Sequence, residues 1–343
     1  MKKILVTGCA GFIGSNYVDH VLRTDPDSEL IGLDVLNYRG RRENIAGALA
    51  SGRFEFFEGD ICDEEIVAEL IGRVDHVVNF AAESFVDRSV LDHRPFVQSN
   101  IVGVDVLLRA AGKAKVKRFL QISTPEVYGE RLTDAADEYD ALKPRNPYAG
   151  CKAAAEMVCR AHLHSFGVPV VFTRGANAVG PKQHIENVVP LFITNLLSGE
   201  RLPVYGAGTA VRDWTHVDDL NAANHLVLTS GEVGSAYNIA ARNDRSLVEL
   251  ARSILGVLGM DPEGYLEFIG DRPAHDYRYY LATDRLRALG WEPRHSFDET
   301  ITTTVDWYRS NEDWWKSVKD SKQYEDARRA IYEPKRTQVA EAL

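Results

Sequence analysis

Residues 4–16 read ILVTGCAGFIGSN, a short apolar run followed by three glycines spaced three residues apart. An apolar run of this length is typical of a buried β-strand, and the segment after the glycines has helical periodicity. Glycines at a strand-to-helix turn let backbone amides approach a pyrophosphate at the helix N-terminus. The pattern therefore predicts a dinucleotide-binding loop, whose cofactor contacts we assign to Gly8, Gly11, Phe12, Ile13 and Gly14.

A second apolar run ends at Asp34, twenty residues after Gly14. An acidic residue at this point is expected to bind a ribose 2′-hydroxyl and to repel a 2′-phosphate, which favours NAD over NADP. Three neighbouring arginines could still accommodate a 2′-phosphate: Arg39, Arg41 and Arg42. After the third apolar run, Asp60 and Ile61 are expected to flank the adenine.

Further apolar runs alternate with amphipathic segments through the first half of the chain. The runs, at residues 4–7, 30–34, 54–57, 76–80, 119–123 and 168–173, lack alternating polar residues. This is typical of strands buried on both faces of a parallel sheet. Helical segments between them include residues 16–23, 64–71 and 101–114. The predicted fold class is α/β, a Rossmann-type doubly wound parallel sheet with a smaller α/β substrate-binding domain.

Proline and glycine interrupt this rhythm after about residue 180. We therefore predict an NAD-binding domain over residues 1–180, to which some later segments return, and a substrate-binding domain over residues 181–315. A charged C-terminal tail over residues 316–343 carries few apolar residues and is expected to dock as a helix with a frayed end.

Composition excludes several function classes. The 343 residues include 40 Lys plus Arg and 50 Asp plus Glu, a formal net charge of −10. An acidic balance argues against a nucleic-acid partner, because neutralising phosphates needs a basic surface. No apolar stretch approaches the roughly 18 residues of a membrane span, and the first apolar run is too short for a secretion signal. The four cysteines lack metal-ligand spacing. We predict a cytoplasmic protein with reduced thiols, no metal and no membrane partner.

Tyr148 and Lys152 lie four residues apart on a predicted helix, so their side chains share one face. An ammonium group beside a phenol stabilises the phenolate and lowers the tyrosine pKa towards that of a usable base. A strand ending at Ser123 and Thr124 precedes this helix. The spacing therefore predicts a Tyr–Lys catalytic pair next to the dinucleotide.

Together these motifs resemble the extended short-chain dehydrogenase/reductase superfamily, and within it the nucleotide-sugar 4,6-dehydratases. The resemblance covers about residues 1–315. It is carried by NFAAESFVDRS (79–89), ISTPEVYG (122–129), PYAGCK (147–152), PVYG (203–206), RDW (212–214) and DRPAHD (271–276).

The resemblance implies that NAD⁺ transiently oxidises C4 of a nucleoside-diphosphate sugar. Tyr148 would be the base, Lys152 its activator, and Thr124 would hold the C4 oxygen. Glu126 would remove the C5 proton as the C6 hydroxyl leaves, after which hydride returns to C6. The implied cofactor contacts also include Ala81, Tyr148 and Lys152. The implied substrate contacts are Ser84, Phe85, Asn177, Asn187, Val188, Tyr205, Arg212, Asn238 and Arg272. A homodimer built from helices over residues 101–114 and 148–165 is also implied.

The chain departs from the family pattern at Pro125, where a general-acid Asp is usual. Proline has neither an ionisable group nor an amide hydrogen, so it cannot protonate a leaving hydroxyl. Three reactions stay open: dehydration with Glu126 acting twice, epimerisation at C4 or C5, and decarboxylation of a hexuronate. Phe85 in place of a usual His and Asn187 in place of a usual Lys also point to a changed substrate.

Two further functions are alternatives to these reactions. One is a dinucleotide sensor that binds NAD and a partner protein without turnover, against which the retained Tyr148, Lys152 and Glu126 argue. The other is an NADP-linked reductase of a free ketone, which Asp34 disfavours.

Overall fold

The computed structural model of the protein describes residues 2–262, 264–271 and 275–342, with side chains up to residue 337. The strands are β1 (Lys2–Thr7), β2 (Ser28–Asp34), β3 (Phe54–Glu58), β4 (His76–Asn79), β5 (Arg118–Ser123), β6 (Val170–Gly175), β7 (Asn177–Val179), β8 (Leu202–Tyr205), β9 (Val211–His216), β10 (Ala236–Ile239), β11 (Asp244–Ser246) and β12 (Leu266–Ile269).

The α-helices are α1 (Phe12–Thr24), α2 (Ala46–Leu49), α3 (Glu64–Ile71), α4 (Val86–Leu91), α5 (Arg94–Val97), α6 (Val104–Ala114), α7 (Pro147–Phe166), α8 (Val188–Leu197), α9 (Val217–Ser230), α10 (Leu247–Leu258), α11 (Asp284–Ala288), α12 (Phe297–Ser310), α13 (Glu312–Lys319) and α14 (Lys322–Ala342). Short 3₁₀ turns cover Arg42–Ile45 and Pro125–Tyr128, and a π-helical turn covers Gln98–Gly103.

Seven parallel strands form the main sheet in the order β3-β2-β1-β4-β5-β6-β10. The chain winds outward from β1 to β3 and then returns to add β4 on the other side of β1. The point of reversal, between β1 and β4, is where open α/β sheets bind ligands at the carboxyl ends of their strands. The predicted fold class, a doubly wound α/β sheet, is confirmed.

Apolar side chains cover both faces of this sheet. Ile4 and Val6 of β1 belong to a core with helices α1 and α9. Leu5 of the same strand belongs to a second core with helices α3, α6 and α7. Successive side chains of a strand point to opposite faces, so a strand covered on both sides is apolar at every position.

A third core surrounds helices α8, α10 and α12 and includes Phe192 and Trp214. It adjoins a three-stranded sheet, β11-β9-β7, and a parallel pair, β12-β8. Between these elements, helix α9 packs on α1 and strand β10 joins the main sheet. The chain thus passes from the first layer to the second and back, and the predicted boundaries at residues 180 and 315 stay predictions.

The C-terminal helices α13 and α14 are packed on the rest of the chain. The Trp314 indole Nε1 donates to Asn44 Oδ1 at 2.9 Å, and the Trp315 Nε1 donates to the Tyr308 carbonyl at 2.9 Å. Within the described ranges, no helix is both long enough and apolar enough to cross a membrane.

Candidate active site

A cleft of about 650 Å³ opens at the carboxyl ends of the main-sheet strands, where the strand order reverses. Among the described residues, its walls contain every predicted site residue except Asn238. Asn238 lies elsewhere, and Arg272 lies outside the described residues. The residues that the sequence predicted as a functional site therefore lie together in one cleft.

The glycine loop after β1 forms one end of the cleft. Gly8 has a φ of +67°, and a Cβ there would lie 2.6 Å from the Ala81 nitrogen. A Cβ on Gly14 would lie 2.1 Å from the Gly8 carbonyl oxygen, so neither glycine can be replaced without moving backbone. Helix α1 has Gly11 as its N-cap. The first turn of α1 lines the cleft beside Gly8 and Gly11, which carry no side chains, and a helix N-terminus of this kind fits the pyrophosphate of a dinucleotide.

Asp34 ends β2 at the rim of this loop. Its carboxylate accepts hydrogen bonds from the Ala10 and Leu36 amides, each at 2.9 Å, and burial raises its pKa above the usual value. A Cβ on Gly40 would lie 2.4 Å from Asp34 Oδ1, so the backbone at Gly40 packs directly against the carboxylate. Asp34 is thus rigidly held where the resemblance expects a ribose hydroxyl to bind.

Two of the three arginines that could accommodate a 2′-phosphate have partners elsewhere. Arg41 donates to the Trp314 carbonyl and lies over the indole ring of that residue at 4.8 Å. Arg39 donates to Glu186 at 3.3 Å. Both arrangements favour NAD over NADP.

Thr124, Tyr148 and Glu126 meet at the centre of the cleft. Tyr148 lies in the first turn of α7, and the Thr124 side chain at the end of β5 acts on the phenol to lower its pKa. Asn146, the N-cap of α7, accepts from the Ala149 amide at 2.8 Å and donates from Nδ2 to Glu126 Oε2 at 2.9 Å. One asparagine therefore ties the Glu126 carboxylate to the helix that carries Tyr148.

The direction of the Tyr148 pKa shift differs from the sequence-based prediction. Burial and the Glu126 carboxylate raise this pKa above its ordinary value, and the Thr124 hydrogen bond and the Arg39 charge oppose the rise. The Lys152 ammonium instead donates to the Ile122 carbonyl at 2.6 Å, and burial lowers its own pKa to about 8. The Lys152 ammonium, which reaches a strand carbonyl, is not among the groups that shift the Tyr148 pKa here, and its role as activator stays a prediction.

Pro125 begins the 3₁₀ turn that carries Glu126. The Thr124 hydroxyl oxygen caps this turn by accepting from the Glu126 amide at 3.4 Å. The first position of a helical turn needs no amide donor and suits the fixed φ of proline. Pro125 therefore fits the local backbone while lining the cleft without an acid.

A cluster beside this centre joins four residues that line the cleft. The Arg39 guanidinium lies 3.4 Å from Ser84 Oγ and 3.4 Å from Asn187 Oδ1, and 5.1 Å from the centre of the Phe85 ring. Ser84, Phe85 and Asn187 were predicted to contact substrate, whereas Arg39 was predicted to lie near the ribose. In the structure the Arg39 guanidinium lies among the residues that were predicted to contact substrate. The sequence around Arg39 gives no indication of this position.

The remaining predicted substrate contacts line the same side of the cleft: Asn177, Val188, Tyr205 and Arg212. The guanidinium of Arg212 donates to the backbone carbonyls of Val211, Asp276 and Tyr277. These bonds fix its position beside the cleft. Asp60 and Ile61 line the opposite, cofactor end together with Ala81.

The prediction that Asn238 contacts substrate is wrong. Its side chain is fully buried, accepts from the Tyr128 hydroxyl at 2.9 Å, and donates to the carbonyls of Ala136 and Ala282 at 2.9 and 3.1 Å. Asn238 lies within the edge strand β10, and its side-chain amide joins two distant segments away from the cleft.

Sequence reasoning missed two further lining groups. Glu186 accepts from Arg88 at 3.2 Å and from Arg39 at 3.3 Å, which places a buried carboxylate between two cations. Tyr332 reaches the cleft from helix α14, in the segment predicted to be a charged tail. Both depend on contacts between residues far apart in the chain.

Comparison with known proteins gives the family. The model of the NAD dependent epimerase/dehydratase family matches residues 4–240. The chain belongs to this family. The protein called low-salt glycan biosynthesis protein Agl12, from Haloferax volcanii, is 45% identical over 310 residues, which cover 90% of this chain and 99% of that protein. A dTDP-glucose 4,6-dehydratase from Mycolicibacterium smegmatis is 42% identical over 324 residues, 93% of this chain and 97% of that enzyme.

Solved structures of family members are also similar. DesIV, a dTDP-glucose 4,6-dehydratase from Streptomyces venezuelae crystallised with NAD, matches with a TM-score of 0.90 and 41% identity over 92% of this chain and 99% of that one. A UDP-glucuronic acid 4-epimerase from Bacillus cereus, in complex with UDP-glucuronic acid and NAD, matches with a TM-score of 0.85 and 26% identity over 90% and 99%. The predicted family and the predicted cofactor, NAD, are confirmed, whereas the roles of the individual residues stay predictions.

Proposed function

We propose that this protein catalyses the NAD-dependent 4,6-dehydration of a nucleoside-diphosphate hexose to a 4-keto-6-deoxy sugar. The observation that carries the proposal is the meeting of Thr124, Glu126 and Tyr148 in the cleft that also holds the glycine loop. Relatives more than 40% identical along nearly their whole length are named dTDP-glucose 4,6-dehydratases, which supports it.

The cofactor-binding end of the cleft fits a dinucleotide. Gly8, Gly11 and Gly14 would hold the pyrophosphate, Asp34 a ribose, and Asp60 with Ile61 the adenine. Bound NAD supplies a hydride acceptor for C4 and later a hydride donor for C6. Lys152, with a pKa lowered to about 8, is largely protonated at neutral pH and can hydrogen-bond a ribose hydroxyl.

The first proton transfer belongs to Tyr148, whose phenolate takes the hydroxyl proton at C4 while Thr124 binds the same oxygen. The raised pKa of Tyr148 means that its phenolate is scarce at neutral pH unless a positive charge lies close. Among its charged neighbours, Arg39 already lowers this pKa. We expect a cationic nicotinamide ring to act in the same direction.

The second proton transfer belongs to Glu126. A ketone at C4 makes the C5 proton acidic, and the Glu126 carboxylate removes it. Because Pro125 cannot donate a proton, Glu126 returns the same proton to the C6 oxygen as the C–O bond breaks and water leaves. When hydride reaches C6, C5 takes a proton from solvent, which balances the C4 hydroxyl proton that Tyr148 gives up to solvent. Asn146 holds Oε2 of this carboxylate, so the group is oriented while it acts twice.

The test is to incubate the protein with NAD⁺ and with glucose linked to UDP, dTDP, GDP or CDP, and to follow the products by NMR. A 4-keto-6-deoxy sugar is expected from at least one substrate, and its formation should be lost in Glu126→Gln and in Tyr148→Phe. Unchanged substrates in all four reactions, with NAD bound, would refute the proposal.

Epimerisation is the second candidate, and the observation that favours it is Pro125. Without a dedicated acid, Glu126 could return its proton to C5, or hydride could return to C4 on the other face of the sugar. The same NMR experiment separates the reactions, because a C4 or C5 epimer keeps its C6 hydroxyl. Adding a UDP-hexuronate to the panel tests the decarboxylation alternative through release of CO₂.

We also propose a cytoplasmic homodimer, assembled through α6 and α7. Met157 of α7 is 48% exposed, and Val102, in the π-helical turn before α6, is 41% exposed. Further exposed apolar side chains lie at Val90, Leu91 and Val97. These side chains lie on elements that contact one another, and exposed apolar side chains on neighbouring elements are typical of a protein–protein interface. Light scattering should give twice the chain mass for the native protein and the single chain mass for Met157→Glu.

A further inference from the structure

Glu156 is a buried carboxylate in α7, one helical turn after Lys152 and two turns after Tyr148. Its Oε1 accepts from the Ser123 hydroxyl at 2.5 Å and from Arg174 Nε at 3.0 Å. Its Oε2 accepts from Arg174 Nη2 at 2.6 Å. Arg174 is only 2% exposed, so the carboxylate and the guanidinium form an ion pair that is shielded from solvent.

The partners of Glu156 belong to the segments that carry the proposed reacting groups. Ser123 is the last residue of β5 and directly precedes Thr124. From β6, Arg174 also donates to the hydroxyl of Tyr128, the last residue of the 3₁₀ turn that carries the proposed C5 base. One buried carboxylate therefore links the helix of the Tyr–Lys pair to the end of β5 and, through one arginine, to that turn.

Stability alone does not account for this ion pair. Taking a carboxylate and a guanidinium out of water costs free energy, and well-packed apolar side chains of similar volume often stabilise a core equally well or better. Apolar side chains could not supply the three directed hydrogen bonds that join α7 to β5 and β6. The ion pair therefore contributes a fixed alignment of these elements.

The charge of Glu156 also acts on Lys152. Burial lowers the pKa of Lys152 to about 8, and the Glu156 carboxylate opposes this fall, with a smaller effect of Cys159 in the same direction. The contact from β5 is the uncharged carbonyl of Ile122, and Arg174 of β6 is not among the groups that shift this pKa. An opposite charge favours the protonated form of an amine, so removal of the Glu156 charge should lower the pKa of Lys152 further.

We propose that Glu156 is a positioning residue for the proton transfers, whose buried carboxylate aligns the helix of Tyr148 with the strand end and the turn that carry the other reacting groups. This inference rests on the proposed function, because it assumes that Tyr148 and Lys152 serve in the reaction. Glu156 acts through its neighbours rather than by touching substrate or cofactor. Its alignment of the elements sets the rate of proton transfer, and its charge keeps Lys152 in the ammonium form at neutral pH.

The test compares the native protein with Glu156→Gln and Glu156→Asp, using saturating NAD⁺ and a nucleotide-linked glucose that the native protein dehydrates. Glu156→Gln keeps the size of the side chain and removes its charge. Its kcat should fall about tenfold or more, because a small misplacement of reacting groups is costly. Its KM should stay within about threefold of the native value, because the substrate contacts are unchanged.

The pH profile of kcat/KM separates this role from a merely structural one. The rate should rise with pH as the Tyr148 phenolate fraction grows, and should level off where Lys152 loses its proton. In Glu156→Gln the profile should level off about one pH unit lower than in the native protein. In Glu156→Asp, which keeps the charge, it should level off close to the native pH.

Two further variants complete the test. Leu250→Ala opens a cavity in the third core and should lower the melting temperature while kcat and the pH profile stay native. Glu156→Gln combined with Arg174→Met removes both buried charges, which keeps the inference testable if the unpaired guanidinium of the single variant prevents folding. Its profile should also level off at a lower pH, because the carboxylate that favours the Lys152 ammonium is absent.

A native kcat in Glu156→Gln would overturn the inference. A profile that levels off at the native pH, in Glu156→Gln or in the double variant, would also overturn it, whatever the value of kcat. A native protein that binds NAD but converts none of the four nucleotide-linked glucoses would instead overturn the proposed function.

Discussion

Replacing Pro125 with aspartate tests whether the missing general acid limits dehydration. Pro125 is buried at the first position of the 3₁₀ turn, beside the cleft. The turn keeps its Thr124 cap, and a non-proline residue there gains an amide that the turn does not need. The loss of the fixed φ should cost about 0.4 to 1 kcal/mol of unfolding free energy, so Pro125→Asp is expected to fold.

The expected gain in rate is much larger than this loss of stability. An aligned general acid contributes about 10² to 10⁴ to the rate of a proton-transfer step, which is about 2.7 to 5.5 kcal/mol of activation free energy. Burial and the neighbouring Glu126 should raise the pKa of the new carboxyl group, which keeps it protonated and able to donate. Formation of the 4-keto-6-deoxy product should therefore accelerate, with an acidic group visible in its pH profile.

The assay is the initial rate of that product by NMR, with Pro125→Asn as the matched control. Asparagine has nearly the shape of aspartate but no proton to give, so it should stay at the native rate. Equal rates in the two variants would show that the missing acid is not what limits dehydration.

Three other outcomes are expected. Gly14→Ala should abolish NAD binding in a fluorescence titration, because its Cβ would lie 2.1 Å from a carbonyl oxygen, whereas Gly47→Ala, with nothing within 4 Å, should bind NAD normally. Arg39→Ala should raise the KM for the nucleotide sugar about tenfold with little change in kcat, since its guanidinium lies among the predicted substrate contacts; an unchanged KM would exclude that contact. Because the pKa of Tyr148 is raised, its phenolate fraction grows with pH, so kcat/KM should rise between pH 6 and 8, and a flat profile would contradict its role as base.

Local patterns predicted the main sheet well because its strands are buried on both faces. Helix α3 matches its predicted bounds, residues 64–71, since Asp63 caps it and an apolar face follows. Helix α1 begins four residues earlier than predicted, because the helix starts directly at the glycine turn. A π-helical turn precedes α6 within a segment read as one helix. The local sequence pattern therefore predicted whether a segment is a helix or a strand. The exact ends of the elements depend on contacts that the pattern does not encode.

The residues of the candidate site also form two groups, those that local patterns could predict and those that depend on distant contacts. Residues next to strand ends, such as Thr124 and Asp34, could be predicted because topology brings the carboxyl ends of parallel strands together. Asn238 could not, since its partners lie 102 and 44 residues away in the chain. A single sequence carries no local signal for such pairs.

Asn146 joins the N-terminus of α7 to the carboxylate of Glu126 in the 3₁₀ turn, and it therefore couples the movements of the two segments. The phenol of Tyr148 and the carboxyl group of Glu126 cannot drift apart independently, because a shift of the first turn of α7 carries the amide, and with it the acid, in the same direction. The spacing between the two proposed proton acceptors is therefore a fixed property of the scaffold. If Tyr148 and Glu126 act as proposed, we expect sugars of different stereochemistry to be accommodated by the opposite wall of the cleft, with the distance between these two groups unchanged.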